Sequence, residues 1–194
     1  MPLTGLLAGA RAYGMFSAAQ ASDFQLIQSI TVGSGGASSV TFSNIPQTYT
    51  HLQVRGIARY GASNTSTFGM GIRFNGDTGS NYAVHNIQGN GSTASSGNSI
   101  SQTFGGTANI PPGGNTASAF AAFTIDILDY ASTSKNKTVR TLAGYDGNDT
   151  NGLVTLRSAL WMNTSATTSL VFLDSSGNSF SFVQHSTFSL YGIR

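Results

Sequence analysis

The chain contains no cysteine and no glutamate, and only 8% of its 194 residues are charged. The missing cysteine excludes disulfides, thiolate metal sites and cysteine nucleophiles, and leaves the redox compartment open. The shortage of charge says as much, because soluble proteins carry roughly 25% charged residues. Two lysines, seven arginines and seven aspartates are scattered along the chain, for a formal charge of +2. A nucleic-acid face needs clustered basic side chains, so no nucleic-acid partner is expected. No apolar run reaches the roughly 18 residues of a spanning helix, so no membrane span is expected. Arg11 breaks the apolar start and no basic leader precedes it, so no secretory signal is expected either. A surface with so few charges repels its own copies weakly and suits a permanently assembled state.

Polarity comes instead from Ser, Thr, Asn, Gln and 24 glycines, a mixture poor for helices and good for short strands joined by tight turns. Residues 1–22 lack strand alternation and hold Leu3, Leu6, Leu7, Tyr13, Met15 and Phe16, with Arg11 as the only charge. They are expected to form a short arm, with residues 1–23 as an anchoring segment and 24–194 as a folded domain. From Phe24 the apolar period becomes two. Phe24, Leu26, Ile30 and Val32 are expected on one face, and Val40 and Phe42 follow the Gly33-Ser34-Gly35-Gly36 turn. Leu52, Val54, Ala58 and Tyr60 alternate with polar neighbours, as do Phe68, Met70, Ile72 and Phe74. Such alternation predicts half-buried strands. The Gly/Ser/Asn/Thr-rich stretch 89–114 reads as the longest loop. Further strands are expected within 120–130, 138–145, 153–162, 169–173 and 180–194. About ten β-segments at this spacing predict an all-β fold, an antiparallel jelly-roll-like β-sandwich.

The residues that carry chemistry do not converge. There is no G-x-S-x-G elbow, and Lys135 and Lys137 lie in a Ser/Thr/Asn turn with no P-loop before them. His51, His85 and His185 form no metal-binding pair and read as surface histidines on strands. Asp126 and Asp129 have an odd separation, which predicts opposite faces of a strand and pairing with Lys135, Lys137 or Arg140. The Asp146–Gly152 stretch fails the EF-hand pattern, with Arg157 in the twelfth position, and reads as a turn. Trp161 reads as a core or subunit-interface residue. No catalytic residue, metal or cofactor is expected, and the protein reads as a non-enzyme. The N-x-[ST] triplets at Asn64, Asn136 and Asn163 are what chance gives in this composition.

From residue 26 to the end the chain resembles a family of small structural proteins encoded by tailed bacteriophages, with related modules at tail-fibre ends. The resemblance runs through Ile30-Thr31-Val32-Gly33-Ser34-Gly35-Gly36-Ala37-Ser38-Ser39-Val40-Thr41-Phe42 and Ile45-Pro46-Gln47-Thr48-Tyr49-Thr50-His51-Leu52. It continues through Arg73-Phe74-Asn75-Gly76-Asp77, Asp126-Ile127-Leu128-Asp129-Tyr130 and Lys135-Asn136-Lys137-Thr138. It closes on Leu160-Trp161-Met162-Asn163 and Leu190-Tyr191-Gly192-Ile193-Arg194. The arm lies outside it. The resemblance implies a β-sandwich component of the virion, assembled in the host cytoplasm, and transfers no catalytic residue.

The first role it implies is a capsid decoration or cement protein on the outer head surface, with major capsid or other virion proteins as partners. Leu3, Leu6, Leu7, Tyr13, Met15 and Phe16 would then grip the shell. A tail-fibre or receptor-binding module touching a host-surface glycan is the second reading, and a free carbohydrate-binding protein is the third. The short segment before the first strand favours docking over a fibre stalk. A homo-oligomer is expected from the low charge and many aromatics, and a trimer by analogy with jelly-roll virion proteins.

Overall fold

The computed structural model describes residues 23–63, 68–148, 151–177 and 179–194. The six arm residues from Leu3 to Phe16, and Asn64, lie outside the described residues.

Twelve strands and no helix are present among the described residues: β1 (Phe24–Thr31), β2 (Ser39–Phe42), β3 (His51–Ala58), β4 (Phe68–Phe74), β5 (Tyr82–Gly89), β6 (Ala94–Gln102), β7 (Gly105–Ile110), β8 (Ala121–Leu128), β9 (Lys137–Asp146), β10 (Gly152–Trp161), β11 (Leu170–Asp174) and β12 (Thr187–Ile193). They form two antiparallel sheets, ordered β1-β12-β3-β8-β9-β10-β5-β6 and β2-β11-β4-β7. The pairs β4 with β7, β3 with β8, β2 with β11 and β1 with β12 are nested within one another along the chain. That nesting is one long antiparallel hairpin rolled into two sheets, which is a jelly roll. The hairpins β5–β6 and β9–β10 are additions to its eight strands, and both extend the larger sheet past β8.

The alternation that predicted β3 and β4 sets the core. Leu52, Val54, Ala58, Tyr60, Met70, Ile72 and Phe74 are fully buried between the sheets. Trp161 joins them, its ring stacked on Phe74 with centroids 5.2 Å apart. Phe172, Phe182 and Phe188 continue the aromatic layer. Each large side chain buried here contributes about 1.5–3 kcal/mol. Gly192 serves the same packing, because a Cβ there would fall into the ring of Tyr49.

Several expectations are corrected. Residues 89–114 are not one loop: β6 and the largely buried β7 lie within them. Phe24 and Leu26 do not share a face with Ile30 and Val32. A bulge between Leu26 and Gln28 shifts the register against β12, so Leu26 is 52% exposed while Val32 is buried. His185 is not on a strand but in the turn before β12, with a φ of +73°.

Two cations are spent inside the fold. Arg59 is buried and donates to the carbonyls of Gly113, Asn115, Thr116 and Ala119, tying that loop to the end of β3. Lys137 is fully buried, not a turn residue, and its Nζ donates to the carbonyls of Ser132 (2.7 Å), Lys135 (2.8 Å) and Thr164 (3.1 Å). Desolvation lowers the pKa of both below their ordinary values.

Candidate interaction surface

Strands β9 and β10 bury Val139, Ala143, Ala159 and Trp161 between the sheets but depart from the usual pattern elsewhere along them. Their apolar side chains should face the sandwich and their threonines the solvent, yet Leu142, Val154 and Leu156 point outward. Thr141 and Thr155, next to them in sequence, are buried between the sheets. Neither threonine hydroxyl has a hydrogen-bond partner, and the Nε of Arg157, beneath the same strands, is also buried without one. A buried unpaired hydroxyl costs on the order of 1–3 kcal/mol. The arrangement therefore sacrifices stability to place apolar groups on the outside.

The register turns those groups into one patch. Leu142 lies opposite Leu156 across β9 and β10, and Leu156 lies opposite Ile87 across β10 and β5. Leu142 (59%), Val154 (60%), Leu156 (48%) and Ile87 (55%) are about half exposed or more. Beside them, Val154 faces Gly144, and Gly144 faces Ala122 on β8. Small residues next to large ones give relief: a ridge with a hollow beside it. That hollow, of about 390 Å³, is lined by Ala122, Thr124, Leu142, Gly144 and Val154. A larger concavity of about 650 Å³ lies on the other side of the ridge, over Ile87, Leu128 and Leu156, with His85, Asn98 and Ser158 among its polar lining. A third, of about 410 Å³, sits by the β5–β6 and β9–β10 turns around Asn90, Tyr145 and Asp146.

The rest of the outer face mixes scattered apolar groups, Leu26 and Ile57, with polar side chains that largely satisfy one another. Arg140 donates to Asp126 Oδ2 at 2.9 Å, Gln53 donates to Asp126 Oδ1 at 2.7 Å, and Arg55 donates to Gln53. The Arg55 guanidinium also lies 4.8 Å from the ring of Phe24, which stacks on Tyr191. Charge on this face is thus largely neutralised before any partner arrives.

Asp126 pairs with Arg140 as expected. Asp129 pairs with Lys135 at 2.6 Å, but β8 ends at Leu128, so Asp129 belongs to the turn and the opposite-face argument does not reach it. His51 begins β3 and accepts a bond from the Asp129 backbone N–H at 3.0 Å, while His85 lies on β5. Among the described residues no group of three or more His, Cys, Asp or Glu side chains is placed to hold a metal ion. β9 ends at Asp146 and β10 begins at Gly152; between them Asp146 Oδ1 accepts the Asn148 N–H, and Asp149 and Thr150 lie outside the described residues. Trp161 is a core residue, and its Nε1 donates to Asp77. Sequence reading passed over the ridge itself. Its one signal is the order Leu142-Ala143 and Val154-Thr155-Leu156, which says that two faces compete for apolar residues but not which one wins.

Compared with protein-family models, curated proteins and solved structures, the chain finds no match in any of the three.

Proposed function

We propose that the chain is a non-enzymatic structural protein of a tailed-bacteriophage particle, a decoration or cement subunit bound to the outer surface of the head. The observation that carries this reading is the inverted pattern of β9 and β10. Three apolar side chains are held outward while two threonines are buried without partners, an arrangement that makes physical sense when a permanent neighbour covers the outer face. The hairpins bearing the ridge are additions to the jelly roll that turn one side, with Trp161 and Val139, into the core and the other side outward. Low charge and an internally neutralised polar half suit a broad, permanent contact with major capsid or other virion proteins. In this reading the arm supplies a second grip through Leu3, Leu6, Leu7, Tyr13, Met15 and Phe16. The subunit is a homo-oligomer; its expected trimeric order rests on the resemblance alone.

The reading is tested by adding purified protein to particles that lack it and counting copies per particle. Hundreds of copies on the head are expected. The double variant Leu142→Ser/Leu156→Ser should fold and fail to bind. Saturation at a few copies on the tail, or undiminished binding by the variant, would overturn it.

The polar lining of the 650 Å³ concavity, with His85, Asn98 and Ser158 around an apolar floor, favours a second reading: a fibre-associated module contacting a host-surface glycan. A glycan array separates the two, since a cement protein retains no glycan.

A further inference from the structure

Two open sheets have four edge strands, here β1, β6, β2 and β7. Natural sheets protect such edges with bulges, charges, prolines, shortness or a covering element. β1 carries the bulge at Leu26/Gln28, and β2 has only four residues. β7 is largely buried and packs against β10 and β9. β6 is bulged only at its C-terminal end, where Ile100 and Ser101 oppose Ala83, and the rest of the strand has none of these devices. β6 is nine residues long, eight of them exposed, and pairs with β5 through six uninterrupted positions from Ser99 to Ala94. It contains no proline, and no Asp, Glu, Lys or Arg occurs anywhere between Asp77 and Asp126. From Ala94 to Ser99 its backbone donors and acceptors on the free side form an uncharged template.

We propose that β6 is a self-association edge, pairing antiparallel with β6 of a second copy across a two-fold axis perpendicular to the sheet. Three features name a second copy as the occupant. A strand without charge meets itself without like-charge opposition, which is the usual bar to self-pairing. Among the described residues the other edges are bulged mid-strand, short or covered, so the six regular positions Ala94–Ser99 find their longest complement in the same run of a second copy. Ile100, at 69% the most exposed large apolar side chain among the described residues, gains cover from the facing strand. The axis keeps both outer faces on one side, so the Ile87–Leu156–Leu142 ridges of the two copies flank a common seam. The pairing does not depend on the virion reading, and it allows trimers formed elsewhere to be linked in twos. A single strand covers a narrow strip beside the ~800 Å² per partner of a standard interface, so the pair should dissociate on dilution.

Sedimentation equilibrium of the full chain tests the proposal. The wild type should show a reversible monomer–dimer equilibrium. Ser95→Lys/Ser99→Lys and Ser95→Asp/Ser99→Asp alter exposed positions on β6; each alone should associate at least tenfold more weakly. A one-to-one mixture of the two should regain the wild-type dimer, because opposite charges then meet across the axis. A wild type monomeric at every soluble concentration, a variant that dimerises unchanged, or a mixture that stays monomeric would each overturn it. Loss of the dimer on deleting residues 1–22, with mixing without effect, would give the edge to the arm instead. Should a variant fail to melt cooperatively, a spin label on Asn98→Cys reads the contact directly, since the chain has no other cysteine. Pairing sets the two labelled strands within about one or two strand spacings, ~5–10 Å between backbones; no short distance would again overturn it.

Discussion

Trp161 Nε1 and Asp77 Oδ2 are joined by a hydrogen bond of 2.7 Å that ties the end of β10 to the turn after β4. Asn81 and the Gly79 N–H donate to the same carboxylate, and the bond from Trp161 is the largest of the causes holding its pKa below the ordinary 3.8. A depressed carboxylate contributes stability above its unfolded pKa and loses it as pH falls through the folded value. Urea melts should therefore weaken below about pH 4. Asp77→Asn should lose on the order of 1–3 kcal/mol at neutral pH and flatten that acid limb. An acid limb unchanged by the substitution would show that another carboxylate governs it.

At the alkaline end the sign reverses. Desolvation pushes the buried phenol of Tyr82 up to about 12, and those of Tyr60 and Tyr130 also upward. A raised acid contributes stability that is full below its unfolded value of 10.0 and is lost as pH climbs through the folded one. Lys137, Arg59 and Arg157, lowered by burial, work in the opposite sense, but the arginines stay charged through this range, which leaves Lys137 against three phenols. The melting temperature should fall from about pH 10 upward. Tyr82→Phe should be less stable at neutral pH yet lose less on the way to pH 12.

Lys137→Met keeps the length of the side chain and removes its three donors. The carbonyls of Ser132, Lys135 and Thr164 would be left without that partner. The three carbonyls are only part-buried and water can replace some of the lost donors, so equilibrium unfolding should show a loss of about 1–3 kcal/mol. A change within about 0.5 kcal/mol, as for an ordinary surface site, would contradict the buried role.

Thr155→Val replaces a buried, unpartnered hydroxyl with a methyl of nearly the same shape. It should stabilise the fold by about 1 kcal/mol in a urea titration. A destabilised variant would mean that the hydroxyl has a partner, such as an ordered water between the sheets.

Removal of residues 1–22 should leave the melt nearly unchanged and abolish binding to purified particles. Several apolar anchors at about 1.5–3 kcal/mol each, less the cost of ordering the arm, are enough to hold a subunit through repeated contacts. A truncated chain that unfolds, or that still decorates particles fully, would remove the arm from the docking reading.

The residues that could be read from sequence are those with one dry face. Leu52, Val54, Ala58 and Tyr60 sit where alternation placed them because His51, Gln53, Arg55 and Arg59 between them leave Ile57 as the one large apolar competitor on that strand. β7 was hidden for the opposite reason. Its sequence, Gly-Gly-Thr-Ala-Asn-Ile, looks like a loop, yet the small residues let the sheets approach: a Cβ at Gly105 would come within 3.3 Å of both Ile72 and Ala159. The bulge in β1 moves Leu26 outward without any glycine or proline to mark it. Lys137 reads as a turn residue within reach of Asp126 or Asp129, and only the fold shows three carbonyls closing around it. The outer ridge was illegible because periodicity fixes which residues share a face and leaves open which face is inside.

The nesting of the strand pairs has a kinetic side. Pairing β1 with β12 joins residue 24 to residue 193, and β2 with β11 joins residue 42 to residue 170. Closing loops of that length makes folding slow compared with helical chains of the same size. The β5–β6 and β9–β10 hairpins close across short turns and form early. The bare rim of β6 is therefore on display while the two ends of the chain are still apart. Refolding yield should fall steeply with protein concentration, and charges at Ser95 and Ser99 should restore it before they alter the final stability.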